Sequence, residues 1–248
     1  MISSMENGRF KSFVKLKQKK YRHQEKKFLV EGEHLVTAAI EAGVVAEILL
    51  CEGFEGNFSF DSGNFDVVCL SEGLFLKLAY AVTPQRVMAV CYMKEMVPEI
   101  DKRLLLVDDV QDPGNLGTLV RSAVAFGFDG VVLSGNCVDL YNDKVIRATK
   151  GALFGVPIVR VHLPSYVKDL QSSGVMVYGA TLDGKAMSLN DAPMLDRMAF
   201  VLGNESNGIS NEVLDLVDGN IFIRISSAVE SLNVGVAGSI IMQSFNQV

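Results

Sequence analysis

The sequence predicts an α/β protein of two parts in series: a small mixed unit over residues 1–95 and a larger unit on a mostly parallel sheet over 96–248. Three observations carry this. Short, continuously apolar runs recur between helix-patterned segments, as expected of strands buried on both faces. Strand-like and helix-like segments already alternate within the first 92 residues. A charged stretch with Pro98, residues 93–102, separates the two series as a linker would.

In the first unit, residues 9–27 are basic and compatible with helix, with Phe13, Leu16 and Tyr21 as apolar anchors. Residues 28–30 read as a strand, punctuated by Glu31-Gly32-Glu33, and 34–42 as a helix closed by Gly43. Strands follow at 44–51, 67–70 and 86–92, with a Gly/Asn/Ser-rich loop at 52–64 and a short helix near 72–79. In the second unit the strand-like runs are 104–107, 130–133, 157–161, 175–180, 199–202 and 220–225, and a last helix spans 234–247. Ligands of such sheets bind beyond the carboxyl ends of the strands.

Composition narrows the function classes. With 248 residues and 49 % apolar content, the chain can bury a sizeable core. No apolar run approaches the roughly 20 residues of a membrane span, and Met1–Asn7 lacks a basic region followed by an apolar one, so no secretory signal is read there. Four dispersed cysteines without a Cys-x-x-Cys pair, and three histidines, give no metal site and fit reduced thiols in a cytoplasmic protein. The net charge of −6 hides an asymmetry: residues 9–27 hold nine Lys/Arg and one acid, a local +8 against −14 elsewhere. That is a phosphate-binding patch on an acidic body, or equally a solubilising amphipathic helix.

Three constellations carry chemistry. After the 104–107 strand comes Asp109-Val110-Gln111-Asp112-Pro113-Gly114-Asn115-Leu116-Gly117-Thr118-Leu119-Val120-Arg121. Pro113-Gly114 marks a turn, and Asn115 is placed to cap the next helix. Gly117 and Ala125 leave the Arg121 guanidinium open on its stripe, a sensible phosphate or alkoxide site. After the 199–202 strand, Gly203 permits close approach to the backbone, and Asn204 and Glu205 present polar groups at a strand end. Gly208 allows a second turn, and Ser210 can cap a helix. The third stretch, Ile221 to Ile241, holds Ser231 and Asn233 at the start of the last helix, where backbone donors are free. Gly235, Gly238 and Ser239 keep one of its faces flat for a ligand or a helix. Taken singly, each stretch also fits an ordinary strand–turn–helix with solvated polar residues.

Together, in this order and spacing, the three resemble the motifs of the SpoU (TrmH-like) family of RNA 2′-O-ribose methyltransferases. The pattern is Asn-x-Gly followed by Arg, then Leu-Gly-Asn-Glu-x-x-Gly-Ile, then Ser-Leu-Asn-Val-x-Val-Ala, across residues 104–245. Residues 10–92 more loosely resemble the substrate-binding domain that precedes the catalytic one in many members.

The resemblance implies a trefoil-knotted α/β domain, S-adenosylmethionine as cofactor, RNA as substrate and a homodimer through the catalytic domains, with no metal and no membrane partner. It assigns Arg121, Asn115, Glu205, Ser231 and Asn233 to catalysis, and Thr181, Leu202, Gly203, Asn204, Ile223, Ile225, Leu232 and Asn233 to the cofactor. Glu205 would orient Arg121 or the substrate.

RNA contact is expected from Lys15, Lys17, Lys19, Lys20, Arg22, Lys26 and Lys27, with ribosomal RNA favoured over transfer RNA. Where the family commonly has Ile-Pro, this chain has Ile223-Arg224, which loses the backbone restraint of a proline. Alternatives are a transfer RNA 2′-O-methyltransferase and a non-catalytic RNA-binding protein of the same fold. A Rossmann dehydrogenase would need Gly-x-Gly-x-x-Gly, which the sequence lacks. A covalent base methylation would need a cysteine near the motifs.

Overall fold

The computed structural model describes residues 1–54, 65–94, 96–100, 102–183 and 186–246, so most of the expected loop at 52–64 lies outside the described residues. In chain order the elements are α1 (Gly8–Lys15), α2 (Lys19–Glu25), β1 (Lys27–Glu31), α3 (Glu33–Glu41), β2 (Val45–Cys51), β3 (Asp66–Leu70), α4 (Glu72–Leu78), β4 (Val87–Tyr92), β5 (Leu104–Val107) and α5 (Pro113–Ala125). There follow β6 (Gly130–Leu133), α6 (Asp143–Thr149), β7 (Ile158–Arg160), α7 (Leu163–Ser172), β8 (Met176–Ala180), β9 (Met187–Ser188), β10 (Met198–Leu202), α8 (Asn211–Leu214), β11 (Gly219–Phe222) and α9 (Val234–Ser244). They divide into two units, Met1–Lys94 with Tyr141–Phe154, and Glu95–Leu140 with Gly155–Val248.

The first unit has a four-stranded sheet in the order β1-β4-β2-β3. β2 and β3 are parallel, and the other pairs are antiparallel. The basic segment folds as two helices. Phe10, Phe13 and Leu16 sit three residues apart and bury one face of α1 and its end in the core beside Leu49, Phe75 and Met88. The chain turns at Leu16–Gln18, where the Arg22 Nη1 donates to Leu16 O (3.1 Å) and Lys17 O (2.9 Å). Phe28 packs against Tyr141 and Phe154, with ring centroids 4.6 and 6.4 Å away.

The second unit is a seven-stranded sheet, β7-β6-β5-β10-β8-β11-β9, with every neighbouring pair parallel. β5, β6 and β10 are buried along their whole length, which explains their unbroken apolar character. Two differences from the sequence reading, and the outcome of one alternative it left open, matter for the site. The α5 helix starts at Pro113, and its cap is Asp112, whose Oδ1 accepts from Asn115 N (2.8 Å); Asn115 is therefore inside the first turn and does not cap it. β11 ends at Phe222, so Ile223 and Ile225 leave the sheet. The flat face of α9 receives α5: a Cβ on Gly238 would fall 2.3 Å from Leu119 and 2.5 Å from Leu202, and Ser122 Oγ lies 2.7 Å from Ser239 Oγ. Among the described residues, no helix is long and apolar enough to cross a membrane.

Candidate active site

Beyond the carboxyl ends of β8, β10 and β11 lies a cavity of about 310 Å³. Thr181, Leu202, Gly203, Asn204, Ile223, Ile225, Leu232 and Asn233 all line it, together with Glu205 and Ser231. The local folding explains the convergence. β11 runs out of paired strand at Phe222, which releases Ile223 and Ile225 to turn into the cavity. Gly203 is required at its wall, because a Cβ there would fall 2.1 Å from the backbone of Gly208 and Ile209. The Asn204 side chain shapes the same loop: its Oδ1 accepts from Ser206 N (2.9 Å) and Asn207 N (3.2 Å), and its Nδ2 donates to Asp109 O (2.8 Å). Thr181 Oγ1 is buried with no hydrogen-bond partner among the described residues.

A chain of polar side chains joins the three constellations. Asn233 caps α9, its Oδ1 accepting from Gly235 N (2.9 Å) and Val236 N (3.2 Å). Its Nδ2 donates to Asn115 Oδ1 (2.8 Å), and Asn115 Nδ2 donates to Glu205 Oε1 (2.9 Å). The Glu205 carboxylate also accepts from Asp112 N (3.3 Å) and, more weakly, Gln111 N (3.5 Å), at the start of α5. Burial raises the Glu205 pKa, but the hydrogen bonds from Asn115 and from the backbone of Glu205, Asp112 and Gln111 outweigh it and hold the carboxyl below its usual range. Gln111 and Asp112 escape a reading of motifs, since both act through backbone N–H groups that no side-chain pattern reports.

Arg121 is exposed on α5 and does not line the cavity. Among the described residues no ion pair joins it to Glu205, whose acceptors face Asn115 and the backbone instead; the expected orientation of Arg121 by Glu205 is absent here. Arg224 is exposed, and Ser231 is exposed at the rim.

Residues 102–243 match the SpoU rRNA Methylase family, and residues 7–89 match the MRM3-like substrate binding domain. The chain belongs to the SpoU family. It is 39 % identical over 97 % of its length, and 97 % of the relative's, to the 23S rRNA (guanosine(2553)-2′-O)-methyltransferase RlmP of Bacillus subtilis. A solved structure assigned to the TrmH family of RNA methyltransferases, from Porphyromonas gingivalis, superposes with a TM-score of 0.88 at 32 % identity, covering 98 % of this chain and 99 % of that one. The SpoU methyltransferase AviRb of Streptomyces viridochromogenes, solved with the cofactor AdoMet, superposes at 0.86 with 26 % identity over 96 % of this chain and 97 % of that one.

In this SpoU chain the basic segment sorts into two groups. Arg22, expected to meet RNA, is only 5 % exposed and holds the α1–α2 turn. Lys17 Nζ donates to Lys77 O, Leu78 O and Ala79 O (3.1–3.3 Å), closing the carbonyl end of α4. Both side chains thus give their donors to backbone carbonyls of their own unit, of which the Leu16 carbonyl is buried. Lys15, Lys19, Lys20 and Lys26 are exposed and Lys27 is half-buried; Lys15 and Lys20 lie over the Tyr21 ring at 5.5 and 5.7 Å.

Proposed function

We propose that this SpoU-family chain transfers a methyl group from S-adenosylmethionine to a ribose 2′-hydroxyl of ribosomal RNA. The observation that carries the reading is the meeting of three separate stretches at one cavity, with the Glu205–Asn115–Asn233 chain at its rim and its bonded pair Asn115 and Asn233 118 residues apart in sequence. The residues present suit the cofactor. The cavity volume is at the small end of ligand pockets, roughly 300–1,000 Å³. Leu202, Ile223, Ile225, Leu232 and Ile241 give apolar walls, and the unpartnered Thr181 hydroxyl offers a hydrogen bond inside them. When bound, S-adenosylmethionine supplies an electrophilic methyl group.

The chain's own part is positioning and charge. Thr181 and the backbone around Gly203 would hold the cofactor, and Asn233 fixes the α9 end against it. Arg121 would stabilise the developing alkoxide rather than remove the proton, since a guanidinium stays protonated in proteins. Glu205, held ionised, keeps Asn115 and Asn233 oriented, and Ser231 shapes the rim. Ribosomal RNA is favoured because relatives act on it, including RlmP and a 23S rRNA (uridine(2479)-2′-O)-methyltransferase 27 % identical to this chain. Lys15, Lys19, Lys20, Lys26 and Lys27 are the proposed phosphate contacts of the 1–95 domain. A cytoplasmic setting accords with four free cysteines, of which Cys51, Cys91 and Cys137 are buried. The family's trefoil knot and its homodimer belong to the same reading.

The test is transfer of labelled methyl groups from S-adenosylmethionine to unmodified ribosomal and transfer RNA, with nucleoside mass spectrometry. A 2′-O-methylated nucleoside in ribosomal RNA is the expected result. Label on a base would overturn the ribose chemistry, and label only in transfer RNA would overturn the substrate class. Failure to bind the cofactor would leave a non-catalytic RNA-binding protein.

A further inference from the structure

The segment that leaves β5 has an unusual backbone. Asp109 has φ +61°, in the left-handed region, where a residue with a Cβ is disfavoured by roughly 1–2 kcal/mol and only Gly, Asn and Asp are common. Several contacts hold it there. Its N–H donates to Ser134 Oγ (2.9 Å), and its Oδ1 accepts from Gln111 Nε2 (2.6 Å), which also donates to Asn136 O (2.7 Å). The 134–138 loop that supplies two of these partners is itself fixed by Arg160, whose guanidinium donates to Ser134 O, Gly135 O, Cys137 O and Val138 O at 2.6–2.9 Å.

The reversal at Asp109 has consequences in two directions. Its carbonyl is aimed at Asn204 Nδ2 (2.8 Å), in the wall of the cavity. The turn also sends Val110 into the core and presents the N–H groups of Gln111 and Asp112 to Glu205. Asp108, just before it, holds the far end of the same loop, its Oδ2 accepting from Ser210 N (2.9 Å).

We infer that Asp109 is a positioning residue for the cofactor cavity, acting through its left-handed backbone rather than its charge to set Asn204 and Glu205 in place. The inference rests on the reading of the cavity as the cofactor site. Glycine and asparagine keep the left-handed conformation open; a β-branched residue opposes it.

The test compares Asp109→Gly, Asp109→Asn and Asp109→Val by calorimetric binding of S-adenosylhomocysteine and by the separate effects on KM for S-adenosylmethionine and kcat. The Gly and Asn variants should bind within about threefold of the unaltered chain, and Val should bind about tenfold more weakly, the equivalent of about 1.4 kcal/mol of left-handed strain. KM for the cofactor should rise in the Val variant alone. Should Val not fold, Ser134→Ala removes the acceptor of the Asp109 N–H and should weaken binding about threefold, a smaller fraction of the same effect. Gly and Asn both as weak as Val would overturn the inference in favour of a role for charge. Val or Ser134→Ala binding like the unaltered chain would overturn it outright. No binding by the unaltered chain would remove the cofactor reading itself, and the inference with it.

Discussion

In the segment 9–27, neighbouring cations have different fates: Arg22 and Lys17 give their donors to backbone carbonyls of their own unit, while Lys19 and Lys20 stay exposed. Around the cavity the relation is reversed. Asn115, Glu205 and Asn233, distant in sequence and unlike in surroundings, form one hydrogen-bonded chain. A charge run shows how many cations a surface could have but not which of them the fold has already used. A set of separated motifs is weak residue by residue, and becomes informative once a sheet brings the strand ends together.

The largest expected effect separates chemistry from binding within the second unit. Arg121→Ala should lower kcat by at least about a hundredfold, the scale of losing one oxyanion-stabilising donor, while cofactor affinity by calorimetry stays nearly unchanged. Arg121→Lys should not restore the rate, because a point charge does not replace a planar fork. A parallel loss of cofactor affinity would make Arg121 structural and erase the contrast.

The next effect sharpens the sorting of cations. Arg22→Ala should destabilise the chain by about 1.5–3 kcal/mol, as for a hydrogen-bonded charged group, read by urea denaturation. The salt dependence of RNA binding should not change with it. Lys19→Ala with Lys20→Ala should leave stability alone and flatten the slope of log affinity against log salt by about 0.7–0.9 for each phosphate the protein no longer neutralises. If Arg22 moved the slope and the lysines moved the stability, the two groups would have been exchanged.

Gly203→Ala should cost about 1–3 kcal/mol, as overpacking does, since its Cβ would meet backbone that has no rotamer to change. A melting temperature equal to that of the unaltered chain would show that the loop moves freely.

The smallest effect is in pH. The folded pKa of Glu205 is depressed, so its contribution to stability is present above the usual carboxylate range and is lost as pH falls through the folded value. Stability of the unaltered chain relative to Glu205→Gln should therefore be greatest near neutrality and vanish on the acid side. Asn115→Ala removes the largest of the lowering hydrogen bonds and should shift that loss upward in pH. A difference from Glu205→Gln that persists undiminished into acid would rule out the ionised carboxylate as its source.

Much of the sheet was legible. β5 and β6 occupy the expected residues, because strands buried on both faces leave an unbroken apolar run, which here ends at the polar Asp108 and Ser134. The end of β11 was not, because Ile223-Arg224-Ile225 continues the alternation of a strand. The limit is set by its neighbour: β9 has only two residues, and the last pair is Phe222 with Ser188. The start of α5 was read with Asn115 as its cap; Pro113, suited to the first helical position, makes Asp112 the cap instead. The placing of Tyr141–Phe154 with the first unit had no local signal, as it depends on ring contacts with Phe28 far upstream. Of the cavity, the lining side chains were within reach of the motifs, but the left-handed turn at Asp109, the backbone donors of Gln111 and Asp112, and the position of Arg121 outside the lining were not.

The Glu205–Asn115–Asn233 chain also has a polarity. Each amide has a donor end and an acceptor end, so reversing one reverses its neighbour. A carboxylate at one terminus demands a donor, and the free N–H groups of α9 at the other demand an acceptor. Both demands are met by a single sense of the chain, the one observed. One-atom replacements are therefore unequal. Glu205→Gln still offers an oxygen and preserves the sense, whereas Asn115→Asp sets acceptor against acceptor at its contact with Glu205. The rim of the cavity thus tolerates the loss of a charge better than the loss of a direction.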